Sequence, residues 1–151
     1  MPSALFANTL LNSKAWSIAG MAISAIYGLS YLLLSAWSTH NPMDTVVAQK
    51  SIEIALHTQI IHALAILVLG AISFVPVFNR YAKYFVWVQY FWILGVILFN
   101  GMIYLKHLMG ITDFGMLTPL GGFLLIVGWV LLFGVFVSLF FTIKRYRATE
   151  G

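Results

Sequence analysis

Hydrophobic residues in this chain run in long blocks, with polar residues confined to the gaps between blocks and to isolated positions inside them. Four blocks, at 15–37, 52–75, 84–105 and 119–142, each reach the ~20 mostly apolar residues that a helix needs to cross a bilayer. The blocks are continuously apolar rather than alternating at period two, which separates them from the strands of a membrane β-barrel. Open structures are excluded because unpaired backbone groups are too costly in hydrocarbon. The pattern therefore predicts an all-α integral membrane protein, a four-transmembrane-helix bundle forming a single membrane domain over 1–151. The first block is longer than the core of a secretory signal peptide and no small-x-small cleavage site follows it, so it is read as a permanent span.

Punctuation between the blocks agrees with this reading. The polar tract 40–50 holds Asn41-Pro42, a turn signal, and the second span is expected to begin near Ser51. It ends around Pro76, and a short tract with Asn79, Arg80 and Lys83 reverses the chain. Tyr81, Tyr84, Trp87 and Tyr90 then cluster where amphipathic rings favour the headgroup region, as an aromatic belt. Thr118-Pro119 fits a threonine N-cap with proline at the first helical position. Gly20, Ser24 and Gly28 recur every four residues on the first span and predict a face where another helix packs closely. Gly121 and Gly122, in the first turn of the last span, predict either a close helix contact or an open helix N-terminus that accepts a carbonyl or an anion.

Composition reinforces the assignment, since 62% hydrophobic and 8% charged residues lie outside the balance of ordinary soluble domains. The net charge of +4 points to orientation rather than to nucleic acid, because the basic residues flank spans instead of forming a patch. Lys14, Arg80, Lys83, Lys144, Arg145 and Arg147 fall on one side of a four-span arrangement, with Lys50 and Lys106 on the other. The positive-inside rule then places both termini in the cytoplasm, N-in/C-in. The chain has no cysteine, which excludes disulfides, thiolate metal sites, covalent haem attachment and lipidation through cysteine.

Ionisable and amide side chains inside spans carry the candidate chemistry, because such residues are rare at membrane depth and face the bundle interior. His57 and His62 share the second span but lie about 140° apart around it, so they need separate partners. Glu53 and His57, four residues apart near the outer end, suit an acid–imidazole pair. His62 lies about 14 Å further in than Glu53. Gln59, His62, Asn100 and Tyr104 are expected to converge on a polar pocket in the outer half of the bundle, beneath the start of the fourth span. A metal would draw on His40, His57 and His107, with Glu53 and Asp113, although no tight ligand motif is present. A haem would need two histidines on facing helices, and a quinone a pocket lined by Trp37, Tyr104 and the histidines. No resident cofactor is predicted.

Four elements in order resemble the domain of unknown function 423 family along nearly the whole chain. Ser35-Ala36-Trp37-Ser38-Thr39-His40 is similar to the family's GAFGAH element, and Gln59-Ile60-Ile61-His62-Ala63-Leu64-Ala65 to its YQxxHALA element. Leu98-Phe99-Asn100-Gly101-Met102-Ile103-Tyr104 resembles LFSGSLY, and Thr118-Pro119-Leu120-Gly121-Gly122 followed by Gly128-Trp129 resembles TPxGG and GW. Trp37, Ser38 and Thr39 depart from the first element, and Asn100 stands where serine is usual. The resemblance implies a four-span membrane protein without an established activity. It also implies that His40, Gln59, His62, Tyr104, Thr118, Gly121 and Gly122 form a common polar constellation.

No nucleophile–base pair or phosphate loop is present at a recognisable spacing, so an enzyme is not the expected class. The leading expectation is a non-catalytic subunit or scaffold of the inner (plasma) membrane, with a mitochondrial membrane as the alternative, binding membrane lipid, a partner membrane protein or further copies of itself. A quinone-, haem- or metal-binding redox-linked protein is one alternative, and an oligomeric small-solute transporter or channel is another.

Overall fold

A computed structural model describes residues 4–113 and 115–150, without the side chains of Ala4, Tyr146, Arg147, Thr149 and Glu150. The Arg147 side chain, counted above in the charge asymmetry, thus lies outside the described residues. Helix α1 spans Ala4–His40, α2 Val46–Ile72, α3 Ala82–Met109 and α4 Leu117–Glu150, with a 3-10 turn at Pro76–Tyr81 leading into α3. All four are long and apolar enough to cross a membrane, and there is no strand among the described residues.

The helices extend past the apolar blocks because helix formation is set by local hydrogen bonding as well as by hydropathy. In α1, the Thr9 and Ser13 hydroxyls donate to the carbonyls of Leu5 and Thr9, both at 2.9 Å, so these polar groups are satisfied within the helix. Helix α2 starts earlier than Ser51 because Thr45 caps it, its hydroxyl accepting from the Ala48 N–H at 3.1 Å. Pro76 opens the 3-10 turn, where a missing N–H costs nothing. Helix α3 ends at Gly110, whose φ of 70° is a left-handed conformation that glycine alone takes without strain, and its N–H returns to the Leu105 carbonyl. Helix α4 takes in Leu117, so Thr118 and Pro119 lie inside its first turn instead of at the cap and first position. Proline is tolerated there because first-turn N–H groups have no intrahelical partner.

Helices α2 and α3 form the inner pair. On α2 the buried positions Ile52, Ala55, Gln59, His62, Ile66 and Leu69 step by threes and fours, the spacing of left-handed helix packing, with Leu56 and Ala63 beside them. On α3 the same stepping runs through Phe85, Val88, Trp92, Val96 and Asn100. The most apolar windows of α2 and α3 are 44% and 39% buried, against 17% for α1 and for α4, so the outer helices turn most of their surface outward. Helix α1 packs on α2 and α3, whereas α4 packs chiefly on α3. Along α3 and α4 the partners run in opposite directions: Gly121 meets Leu98 and Phe99, Leu125 meets Gly95, Gly128 meets Trp92, and Ser138 meets Tyr81. The start of α1, the start of α3 and the end of α4 therefore share one end of the bundle.

Candidate functional site

Within the bundle, side-chain amides and hydroxyls reach across helix boundaries instead of lining an open chamber. Gln59 is buried on α2 and ties three helices together. Its Nε2 donates to the Tyr27 carbonyl at 2.8 Å and to Ser30 Oγ at 2.7 Å on α1, while its Oε1 accepts from the Tyr104 hydroxyl of α3 at 2.8 Å. One turn back on α2, the Ala55 carbonyl accepts from Asn100 Nδ2 at 2.7 Å. Each such carbonyl uses its second lone pair, the first being available to the helix ladder. Gln59, Tyr104 and Asn100 thus meet, as a set of crosslinks.

His62 sits deeper, among aromatics. Its Nδ1 lies 2.8 Å from the Thr58 carbonyl and its Nε2 3.1 Å from the indole Nε1 of Trp129. A carbonyl only accepts and an indole N–H only donates, so these partners select the neutral tautomer with the proton on Nδ1. The ring stands edge-on to Trp92 and Trp129, with centroids 5.8 and 6.0 Å away, and the two indoles lie 4.7 Å apart. Neither imidazole nitrogen is left over for a haem iron or a metal.

The remaining predicted residues lie elsewhere. His40 is exposed at the end of α1. Thr118 lines a separate cavity of about 420 Å³ with Lys106 and His107, between α3 and α4 at the end of the bundle away from the termini. A Cβ at Gly121 would strike the α3 backbone at Leu98 and Phe99, while one at Gly122 would only touch the Phe99 ring at 3.6 Å, so this pair marks a close helix crossing. The eight residues expected in one pocket therefore divide among the crosslinks, the aromatic cluster, the cavity at Thr118, the α3–α4 crossing and, for His40, the exposed end of α1.

Glu53 and His57 are both exposed, and the carboxylate accepts from Gln49 Nε2 at 3.2 Å in place of the expected imidazole. Gln49 lies one helical turn before Glu53 on the same face, and its amide reaches the carboxylate without moving the helix. On α1, Ser24 Oγ donates to the Ala63 carbonyl at 2.6 Å, and a Cβ at Gly20 would press on the Gln89 amide at 3.2 Å. A Cβ at Gly28 would meet nothing within 4 Å, so the close contact stops before it. His40, His57 and His107 do not come together, and among the described residues no three histidine or carboxylate side chains are placed to hold a metal ion. The donor sets imagined for metal and for paired-histidine haem do not fit this arrangement.

Three further residues belong to the network and were not singled out in the sequence. Gln89, fully buried, donates to the Ile66 carbonyl at 3.0 Å; Tyr27 donates through its hydroxyl to the Ile93 carbonyl at 2.9 Å; Trp92 forms half of the indole pair. A lone glutamine inside an apolar run, in step with Trp92 and Val96, is the signal that marks Gln89.

Fold and network together define a small multi-pass helical membrane protein whose buried polar side chains join helices to one another. Residues 34–122 match the family described as Protein of unknown function (DUF423). The chain is 32% identical over 114 residues to the UPF0382 inner membrane protein YgdD of Escherichia coli, covering 74% of this chain and 84% of that protein. It is 35% identical over 80 residues to a UPF0382 membrane protein of Staphylococcus haemolyticus, covering 53% and 62%. The chain belongs to the DUF423 family and is a multi-pass inner membrane protein. No solved structure matches it.

Proposed function

We propose that this protein is a non-catalytic scaffold or accessory subunit that binds lipid or a partner membrane protein, with both termini in the cytoplasm. The observation that carries this reading is the commitment of Gln59, Tyr104 and His62, the side chains best suited to chemistry, to partners on the bundle's own helices. The outward faces of α1 and α4 support it too, since Leu29, Leu33, Phe133 and Phe140 are all more than half exposed and available to lipid or to another span. Sidedness rests on the excess of Lys and Arg at the end shared by both termini.

Native mass spectrometry of protein extracted in mild detergent tests the role. A lipid or protein adduct of fixed stoichiometry is expected, weakened when Phe133→Ala and Phe140→Ala are combined. A bare monomer in every mild detergent overturns the proposal. Sidedness is tested separately in the naturally cysteine-free chain. In intact cells, a membrane-impermeant maleimide is expected to label Asn41→Cys and to spare Val77→Cys. The reverse pattern would invert the topology.

A further inference from the structure

At the end of the bundle that holds the start of α3 and the end of α4, a groove of about 540 Å³ opens between these two helices. Its rim carries Arg80 and Lys83, both exposed, with Lys83 Nζ 4.8 Å from the centre of the Tyr84 ring. Its back wall is tied together by the Tyr81 hydroxyl, 3.4 Å from Ser138 Oγ and 3.1 Å from Thr142 Oγ1. Further towards the middle of α4 the lining turns apolar at Val130, Leu131 and Val135, around Gly134. A Cβ at Gly134 would meet nothing within 4 Å, so this glycine is not required by helix packing and instead leaves a notch in the outward face.

Among the described side chains, charge at this end is one-sided. Of the acidic residues, Asp44, Glu53 and Asp113 belong to the opposite end, and Glu150 lies about 12 Å along α4 from Thr142, by the helical rise. Arg80 and Lys83 stand between the apolar blocks, the level at which lipid phosphates are expected, and an apolar notch continues from them along the spans. The groove therefore presents the two chemical halves of a phospholipid in their bilayer order.

We infer that this groove holds an anionic glycerophospholipid, its phosphate between Arg80 and Lys83 and one acyl chain along the Gly134 notch. The inference deepens the scaffold reading by naming a lipid as one partner. It is tested by native mass spectrometry of the full chain loaded with phosphatidylglycerol or phosphatidylcholine. Wild type is expected to retain phosphatidylglycerol preferentially. Arg80→Gln and Lys83→Gln should each reduce its retention about fivefold, the effect of one surface cation on an anionic lipid. Gly134→Leu should reduce it by filling the notch, with helicity and thermal midpoint held at wild-type values because the site is open. Lys50→Gln with Lys106→Gln, at the other end, should leave it unchanged. Equal retention of the two lipids, or unchanged retention in Gly134→Leu, overturns the groove. A Gly134→Leu variant that alters oligomeric state while keeping its lipid overturns it as well, and assigns the notch to a protein contact. Loss of lipid selectivity with a partner complex intact removes the groove alone, whereas lipid selectivity without any partner complex removes the subunit form of the proposed function alone.

Discussion

The contacts that hold α2 to α1 and α3 differ in kind from those that hold α4 to α3. Around α2, side chains supply hydrogen bonds to backbone carbonyls: Ser24 to Ala63, Gln59 to Tyr27, Asn100 to Ala55 and Gln89 to Ile66. Along α4, side chains are removed. Gly121 lets two backbones touch, Gly128 makes room for the Trp92 indole, and on α3 Gly95 receives Leu125. Lipid is as apolar as leucine, so helices in a bilayer gain little from hydrophobic burial against each other and must use either hydrogen bonds or close van der Waals contact. This protein relies mainly on hydrogen bonds around α2, where Gly20 and Gly70 add close contacts, and mainly on close contact along α4, where Tyr81 adds hydroxyl contacts to Ser138 and Thr142 and Trp129 donates to His62. The two differ in their tolerance of change, because a lost hydrogen bond can be replaced by other partners and a backbone collision cannot.

That contrast ranks four substitutions. Gly121→Leu drives a side chain into the Phe99 backbone and should lower stability by about 3 kcal/mol, the upper range for overpacking, read by SDS titration of the folded signal in mixed micelles. Gln59→Leu removes three hydrogen bonds and leaves the Tyr104 hydroxyl without its acceptor, which should cost about 1.5 kcal/mol in the same titration. A larger loss for Gln59→Leu than for Gly121→Leu would reverse the order of the two seams. Trp129→Phe keeps the ring packing but withdraws the donor to His62, so about 0.6 kcal/mol is expected, with a changed Nε2 chemical shift in nitrogen NMR of His62. An unchanged shift would show that the indole is not its partner. Gly28→Ala enters open space and should shift the midpoint by less than about 0.5 kcal/mol.

Architecture was more legible than the site because it depends on a property averaged over some twenty residues, whereas a site depends on which neighbours a single side chain finds. Hydropathy located four helices without any knowledge of their neighbours. It understated their length, since Thr45 capping acts outside the apolar blocks and the polar side chains of Thr9 and Ser13 are satisfied within the helix. Helical spacing placed Gln59, His62, Asn100 and Tyr104 in one half of the bundle, but spacing on one helix does not say which partner faces it. His62 therefore looked like a neighbour of Tyr104 and instead faces Trp92 and Trp129. Glu53 illustrates the same point at the surface, where Gln49 and His57 are equally near along the helix and only the side-chain geometry separates them.

The attachment of α4 chiefly to α3 has a consequence for how the protein is made. Translation releases helices in order, so α1, α2 and α3 can exchange their crosslinks while α4 is still inside the ribosome. The last helix then needs no rearrangement of the others, because its main docking surface, the Gly95 and Trp92 face of α3, is already in place. Until it arrives, that face and the unsealed His62 ring are exposed to lipid, a mark by which an unfinished chain differs from a completed one.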